Sequence, residues 1–301
     1  MDETDIKLCK LLMGNSRLSY DELASRLGLS INAVHKRVRA LVDLGIIRAF
    51  TAKPSLSSLG AISIWVYGRS SSKQIQDAHQ LLKKNDSTYW VAYSGGEFLY
   101  VGGYLRSNSE IDPYVSFVKE AGQIIDPVVG ILPALPMHSS IEELTQTDYQ
   151  ILSSLHKDAR KSLADVAADL SLSAKTVRKR LEKMIERHLI DLTIDWYPDA
   201  SNDILGVSHL VIAPEGNRMS IFSTLNEDLP PNVLFAVLFS NLPNQIMAFN
   251  WANTMKQLEE LRSKIGAING IDSIKLNVLQ TGYSFDTWRD KLIFQKLQSK
   301  E

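Results

Sequence analysis

The stretch SINAVHKRVRAL, Ser30 to Leu41, returns as SAKTVRKRLEKM, Ser173 to Met184, an offset of 143 positions. The match is not confined to these helices. At the same offset Thr4-Asp5 falls on Thr147-Asp148, Leu8 on Ile151, Leu12 on Leu155, and Ser16-Arg17 on Ala159-Arg160. Leu23-Ala24 falls on Val166-Ala167, Leu27 on Leu170, and Ile46-Ile47 on Leu189-Ile190. No gap is needed between Thr4 and Ile47. A core pattern kept in register over that length means that the fold is built from two copies of one plan.

Each copy begins with three helices. Apolar residues at helical spacing place the first over Thr4 to Met13. Ser19-Tyr-Asp-Glu22 matches a capping box for the second, which ends near Gly28. Ser30 is a good N-cap for the third, and Leu27-Gly-Leu-Ser30 is the short link of a helix-turn-helix. In the second copy that link is Leu170-Ser-Leu-Ser173, where Ser171 replaces the glycine and is expected to strain the turn. On the third helix Val34, Val38 and Leu41 share one face, as do Val177, Leu181 and Met184. Asn32, Lys36 and Arg39 point the other way; their counterparts are Lys175, Lys179 and Glu182, with Arg178 at the edge of that face. Apolar alternation after each third helix predicts a short β-ribbon, hence a winged form, with Arg48 and Lys53 within reach of phosphate. The second ribbon carries Asp191 and Asp195 and suits phosphate less well.

The chain has 301 residues and a formal net charge of only −1. Its positive charge is therefore local, and a local basic face binds the phosphate backbone whatever the distant balance. Asn, Lys and Arg also donate to base edges in a major groove. Ser30, Asn32, Lys36, Arg39, Ser173, Lys175, Thr176, Arg178 and Lys179 are the candidate DNA-binding residues. A single basic helix face is more often plain solvated surface; two of them, each the third helix of such a motif, favour nucleic acid. Cys9 is the only cysteine, which excludes an internal disulfide framework and a cysteine zinc cluster. The acidic N-terminus MDETDIKLCKLL is no secretory signal. The most apolar segment, IIDPVVGILPALP, is too short and too broken to span a bilayer. These features point to a cytoplasmic protein without a membrane partner.

Residues 61 to 132 alternate strand and helix: Ala61–Tyr67, helix Ser71–Lys84, Thr88–Ser94, Phe98–Leu105, helix Ser109–Ala121, and Ile124–Leu132. This is βαββαβ, the ferredoxin-like arrangement, and Gly95-Gly96 is a natural hairpin turn. The second copy repeats it from Gly206 to Leu279. The fold class is thus α+β: two winged helix-turn-helix domains (1–54 and 144–198) and two ferredoxin-like domains (59–133 and 205–281). A proline-containing linker covers 134–143 and an amphipathic tail helix 284–301. Two-layer ferredoxin-like units leave a sheet face to cover, so the copies are expected to pair sheet against sheet as a pseudo-dimer within one chain; a further homodimer is open.

Asp2-Glu-Thr-Asp-Ile6, Leu23-Ala-Ser-Arg-Leu-Gly-Leu-Ser30, Val34-His-Lys-Arg-Val38, Leu44-Gly-Ile-Ile47 and Leu59-Gly60 resemble the Lrp/AsnC family of feast/famine regulators. The resemblance implies a transcriptional regulator that binds double-stranded DNA, a RAM domain for each ferredoxin-like unit, and tuning by a small-molecule effector such as an amino acid. Family members carry one copy and dimerise. The family's effector pocket lies near the turn between strands two and three, which places Gly95, Gly96 and Glu97 at such a site here. The second copy, Ser240-Asn-Leu-Pro-Asn-Gln245, lacks both the glycine and the acid. The alternative is an enzyme resembling the siroheme decarboxylases, which share the fold. That chemistry needs basic and histidine side chains around a tetrapyrrole-sized cleft, and His79, His138, His156, His188 and His209 are scattered singly. No catalytic, metal-ligand or phosphate-loop motif is present, and no cofactor is implied.

Overall fold

The structure, a computed structural model, describes residues 1–95, 97–133, 143–227, 229 and 231–298. Gly96, His138 and nearly all of the expected linker lie outside the described residues. The first copy runs α1 (Glu3–Gly14), α2 (Tyr20–Leu27), α3 (Ile31–Asp43), β1 (Ile47–Pro54), β2 (Ile62–Ser70), α4 (Ala78–Leu82), β3 (Thr88–Ser94), β4 (Phe98–Leu105), α5 (Ile111–Ala121) and β5 (Ile124–Ile131). The second runs α6 (Gln146–Leu155), α7 (Leu163–Leu170), α8 (Ala174–Glu186), β6 (Ile190–Trp196), β7 (Ile204–Ile212), α9 (Arg218–Glu227), β8 (Val233–Phe239), β9 (Leu242–Ala252), α10 (Met255–Gly266) and β10 (Ile271–Ser284), and α11 (Trp288–Gln298) follows. The described chain forms two compact units. One gathers both helix-turn-helix stretches and the tail (2–61, 143–200, 286–298); the other gathers the ferredoxin-like stretches (62–133, 201–285).

In the helical unit, local chemistry sets the helix starts. Asp2 and Asp5, Ser19 and Glu22, and Thr145 and Asp148 form reciprocal capping boxes at α1, α2 and α6. Gly28 takes φ +66° between α2 and α3, and Ser171 takes φ +54° at the matching position. A side chain in that region costs roughly 1 kcal/mol, so the expected strain is present. Val34, Val38 and Leu41 of α3 are buried, as are Val177, Leu181 and Met184 of α8. The ribbon departs from expectation in one respect. It is not folded within each copy: β1 pairs antiparallel with β6, one strand from each, with Lys53 opposite Asp191 and Thr51 opposite Thr193.

In the sheet unit, eight strands run in the order β5-β2-β4-β3-β10-β7-β9-β8. Each copy contributes four, and the join is β3 against β10. This explains why β10 extends to Ser284, past the expected end at Leu279: its first part pairs with β7 and its last residues with β3. At the far side the sheet's ends meet, where Ser240 N–H donates to Ile131 O at 2.7 Å and Asn241 Nδ2 to Val129 O at 2.8 Å. Rings from the two copies pack inside, with Trp65 5.9 Å from Phe239 and 5.4 Å from Phe249. Gly130 is required there, since a Cβ would stand 2.3 Å from the Phe239 ring. Sheet against sheet is therefore how the copies pair. The helix expected over Ser71–Lys84 shrinks to α4 with one 3-10 turn before it. Ser70 Oγ and Ser72 Oγ accept from the N–H groups of Ser72 and Gln74, and these side-chain bonds hold the segment in turns.

Candidate nucleic-acid interface

The third helices are positioned by their caps and by one inward arginine each. Ser30 Oγ accepts from Ala33 N–H at 3.2 Å, and Ser173 Oγ from Thr176 N–H at 3.0 Å. Thr176 Oγ1 lies 2.8 Å from Ser173 Oγ, so these three residues build the helix starts while their edges face solvent. Arg37 turns back to Asp2 and Asp5 at 2.8 and 2.7 Å, and the two carboxylates push its pKa up. Arg180 makes the equivalent bond to Asp148 at 3.1 Å. These arginines lock α3 to α1 and α8 to α6, and are not part of the outer face. Sequence reading missed this role, although Arg37/Arg180 and Asp5/Asp148 recur at the same offset.

What remains outward is Asn32, His35, Lys36 and Arg39 on α3, and Lys175, Arg178 and Lys179 on α8, all exposed. Arg39 reaches Asp43 only at 3.8 Å. Lys36, Lys175, Arg178 and Lys179 form no ion pair with any described residue. On α8 the exposed Glu182 stands where α3 has Arg39, so the third cation of the second face is offset by an acid. The ribbon contributes less than expected: Lys53 is held by Asp290 at 2.6 Å, and the Arg48 guanidinium lies 3.5 Å over the Tyr197 ring.

The two motifs are bound to each other by a reciprocal exchange. Arg17 Nη1 donates to the carbonyls of Ala159 and Lys161, and Arg160 Nη1 donates to those of Ser16 and Leu18 at 2.8 and 2.9 Å. Arg17 and Arg160 are equivalent residues, and so are their acceptors. The tail adds an asymmetric lock. Arg289 donates to Pro54 O and to Asp191, while Asp290, buried beside Lys53 and 3.6 Å from His156 Nε2, accepts from Thr287 N–H.

In the sheet unit, Gly95 N–H donates to Val278 O at 3.0 Å, which ties the β3–β4 turn to β10. Glu97 pairs with Arg69 at 2.8 Å on the surface. Gly96 lies outside the described residues. Among those described, no group of three or more His, Cys, Asp or Glu is placed to hold a metal ion, and no helix is long and apolar enough to cross a membrane.

A family model described as winged helix-turn-helix DNA-binding matches residues 1–48, and one for the AsnC-type helix-turn-helix domain matches residues 144–185. An HTH-type transcriptional regulator of Pyrococcus furiosus is 34% identical over 99 residues, 33% of this chain and 67% of that protein. The regulator LrpA of Pyrococcus horikoshii is 26% identical over 137 residues. Among solved structures, the siroheme decarboxylase NirDL matches with TM-score 0.62 across 99% of both chains at 13% identity, a likeness of fold. The stretch that matches LrpA is 45% of this chain but 95% of that protein, as a doubled plan requires. With both helix-turn-helix motifs, the ferredoxin-like units and these relatives in agreement, the chain belongs to the Lrp/AsnC family, in a tandemly duplicated HTH-RAM form.

Proposed function

We propose that this chain is a sequence-specific, DNA-binding transcriptional regulator of the cytoplasm that acts as a single-chain pseudo-dimer. The observation that carries this is the pair of exposed basic faces on α3 and α8, whose Lys36, Lys175, Arg178 and Lys179 form no ion pair with a described residue. Asn32, Lys36 and Arg39 read one half-site, and Lys175, Arg178 and Lys179 the other, with Ser30, Ser173 and Thr176 donating to phosphate at the helix starts. The halves differ, so the operator is an imperfect palindrome. Lys36→Ala and Lys179→Ala are each expected to weaken DNA binding roughly tenfold, within the range for one lost contact, and to lower the salt slope by about 0.9 per phosphate contact. Gel-shift titrations at several salt concentrations read both quantities. Unchanged affinity in both variants with a flat salt response would sink the reading.

The β3–β4 turn of the first copy, Gly95 to Glu97, is the proposed effector site, suited to an amino acid whose ammonium meets Glu97. Thermal-shift screening of amino acids should find a ligand that stabilises the wild type and not Glu97→Ala. Equal stabilisation of both proteins, or none of either, rejects that site. The enzyme alternative rests on fold. His79 stacks on Tyr283 and His209 on Tyr100, at different places in the sheet unit. A tetrapyrrole absorption band on the purified protein would favour the enzyme.

A further inference from the structure

At one place the ring-filled interior between the two copies changes character. Tyr67 of β2 and Phe98 and Tyr100 of β4 face His209 of β7, Gln245 of β9, and Lys275 and Asn277 of β10. One copy supplies the rings and the other supplies the polar groups. Tyr67 and Tyr100 are buried, Phe98, His209, Gln245 and Asn277 are half-buried, and Lys275 is exposed, so the cluster reaches solvent.

The hydrogen bonds fix which atoms are spent. Asn277 Nδ2 donates to Tyr100 Oη at 2.8 Å. Tyr100 Oη lies 2.7 Å from His209 Nε2, and the tyrosine is assigned as the donor because its proton has no other acceptor among the described residues. With Nε2 accepting, the imidazole proton sits on Nδ1. Burial, then the charge of Lys275, holds the His209 pKa down to about 4, which keeps the ring neutral. Gln245 Oε1 accepts from Tyr67 Oη at 3.2 Å, which leaves its amide N–H groups. Lys275 Nζ stands 5.2 Å from the Phe98 ring centre and forms no ion pair with a described residue. The unspent groups named here (His209 Nδ1–H, the Gln245 amide and the Lys275 ammonium) are all donors.

We propose that this cluster is a ligand site for a small aromatic carboxylate, distinct from the Glu97 turn. The carboxylate accepts from Lys275, His209 Nδ1–H and Gln245, and the planar body lies against Tyr67, Phe98 and Tyr100. Charge selects against an α-amino acid: Lys275 stands opposite His209 and over Phe98 and would repel a ligand ammonium, while the nearest described acid, Glu97, is already paired with Arg69. Charge-assisted bonds from an ammonium to a carboxylate are among the stronger ones, which makes Lys275 the discriminating residue.

Trp90 lies 6.2 Å from Tyr100 and 5.8 Å from Trp65, so tryptophan fluorescence reports on the cluster. The full chain is titrated with phenylacetate, with phenethylamine, phenylalanine and acetate as controls, and phenylacetate binding is measured again by calorimetry. Phenylacetate is expected to give a saturable change and the controls none. Lys275→Met, an exposed position whose change leaves the core intact, is expected to raise the phenylacetate Kd at least tenfold. His209→Phe, which keeps a ring but removes the donor, is expected to do the same with an unchanged circular dichroism spectrum. No saturable response to phenylacetate, an equal response to phenethylamine or phenylalanine, or an unchanged Kd in Lys275→Met overturns the proposal.

Discussion

Replacing Arg17 and Arg160 together by alanine is expected to destabilise the helical unit by about 4 kcal/mol, because four charge-assisted bonds are lost and each is worth roughly 1.5–3 kcal/mol before offsets. The offset is their mutual repulsion. Burial lowers the Arg17 pKa first, and the neighbouring Arg160 charge lowers it further. Single variants should therefore lose less than half of the double's effect, since removing one arginine relieves the other. Arg160 also stacks over the Tyr20 and Phe50 rings at 4.7 and 5.4 Å, so lysine at both positions should recover only part of the stability. Urea denaturation followed by helical circular dichroism gives the number. A double variant within about 1 kcal/mol of wild type would show that the exchange does not hold the motifs together. DNA affinity should fall with it, since the two basic helices would no longer be presented as a pair.

Acid is expected to destabilise the sheet unit through His209. Its folded pKa is about 4, and an unfolded histidine titrates near 6.5. Between these values the unfolded chain binds the extra proton, so stability rises with pH in that window. The contribution is complete above about pH 6.5 and is lost as pH falls toward 4, with a limit of about 3 kcal/mol. His209→Phe should flatten that part of the profile while leaving the rest of the curve in place. His156, also held low by burial, titrates in the other unit and is common to both proteins, so the difference between the curves isolates His209. Parallel curves for wild type and variant between pH 6.5 and 4.5 would contradict a neutral, buried imidazole.

Local chemistry was legible in the sequence and long-range edge pairing was not. Ser19 with Glu22, the caps Ser30 and Ser173, and the buried face of Val34 and Val38 are decided within a few residues, and each stands as read. The strand after each third helix was also visible, but its partner was not. A strand carries the same alternation whether its neighbour is its own hairpin arm or a strand from the other copy. The same limit hid the end of β10, because Gly282 to Ser284 become strand only against β3. Side chains that satisfy distant groups were equally hidden. Arg37 has no evident role in the sequence until Asp2 and Asp5 are brought beside it. Tyr100, His209 and Asn277 come from three strands of two copies, and no spacing rule connects them.

The shared ribbon also decides which strands can mate. Its register sets Lys53 opposite Asp191. At the repeat offset the counterpart of Asp191 is Arg48. If the first half paired with its own kind, Lys53 would approach Arg48 at both ends of the ribbon, and like charges opposite one another weaken a strand pair. Pairing with the other half removes that conflict. A free homodimer must stay compatible with itself at every position, since each substitution appears on both sides at once. Fusion lifts that rule, and here Lys53 is fitted to Asp191 of the second half rather than to its own copy. Half of the gene, expressed alone, would have to pair β1 with its own copy and accept that like-charge approach twice.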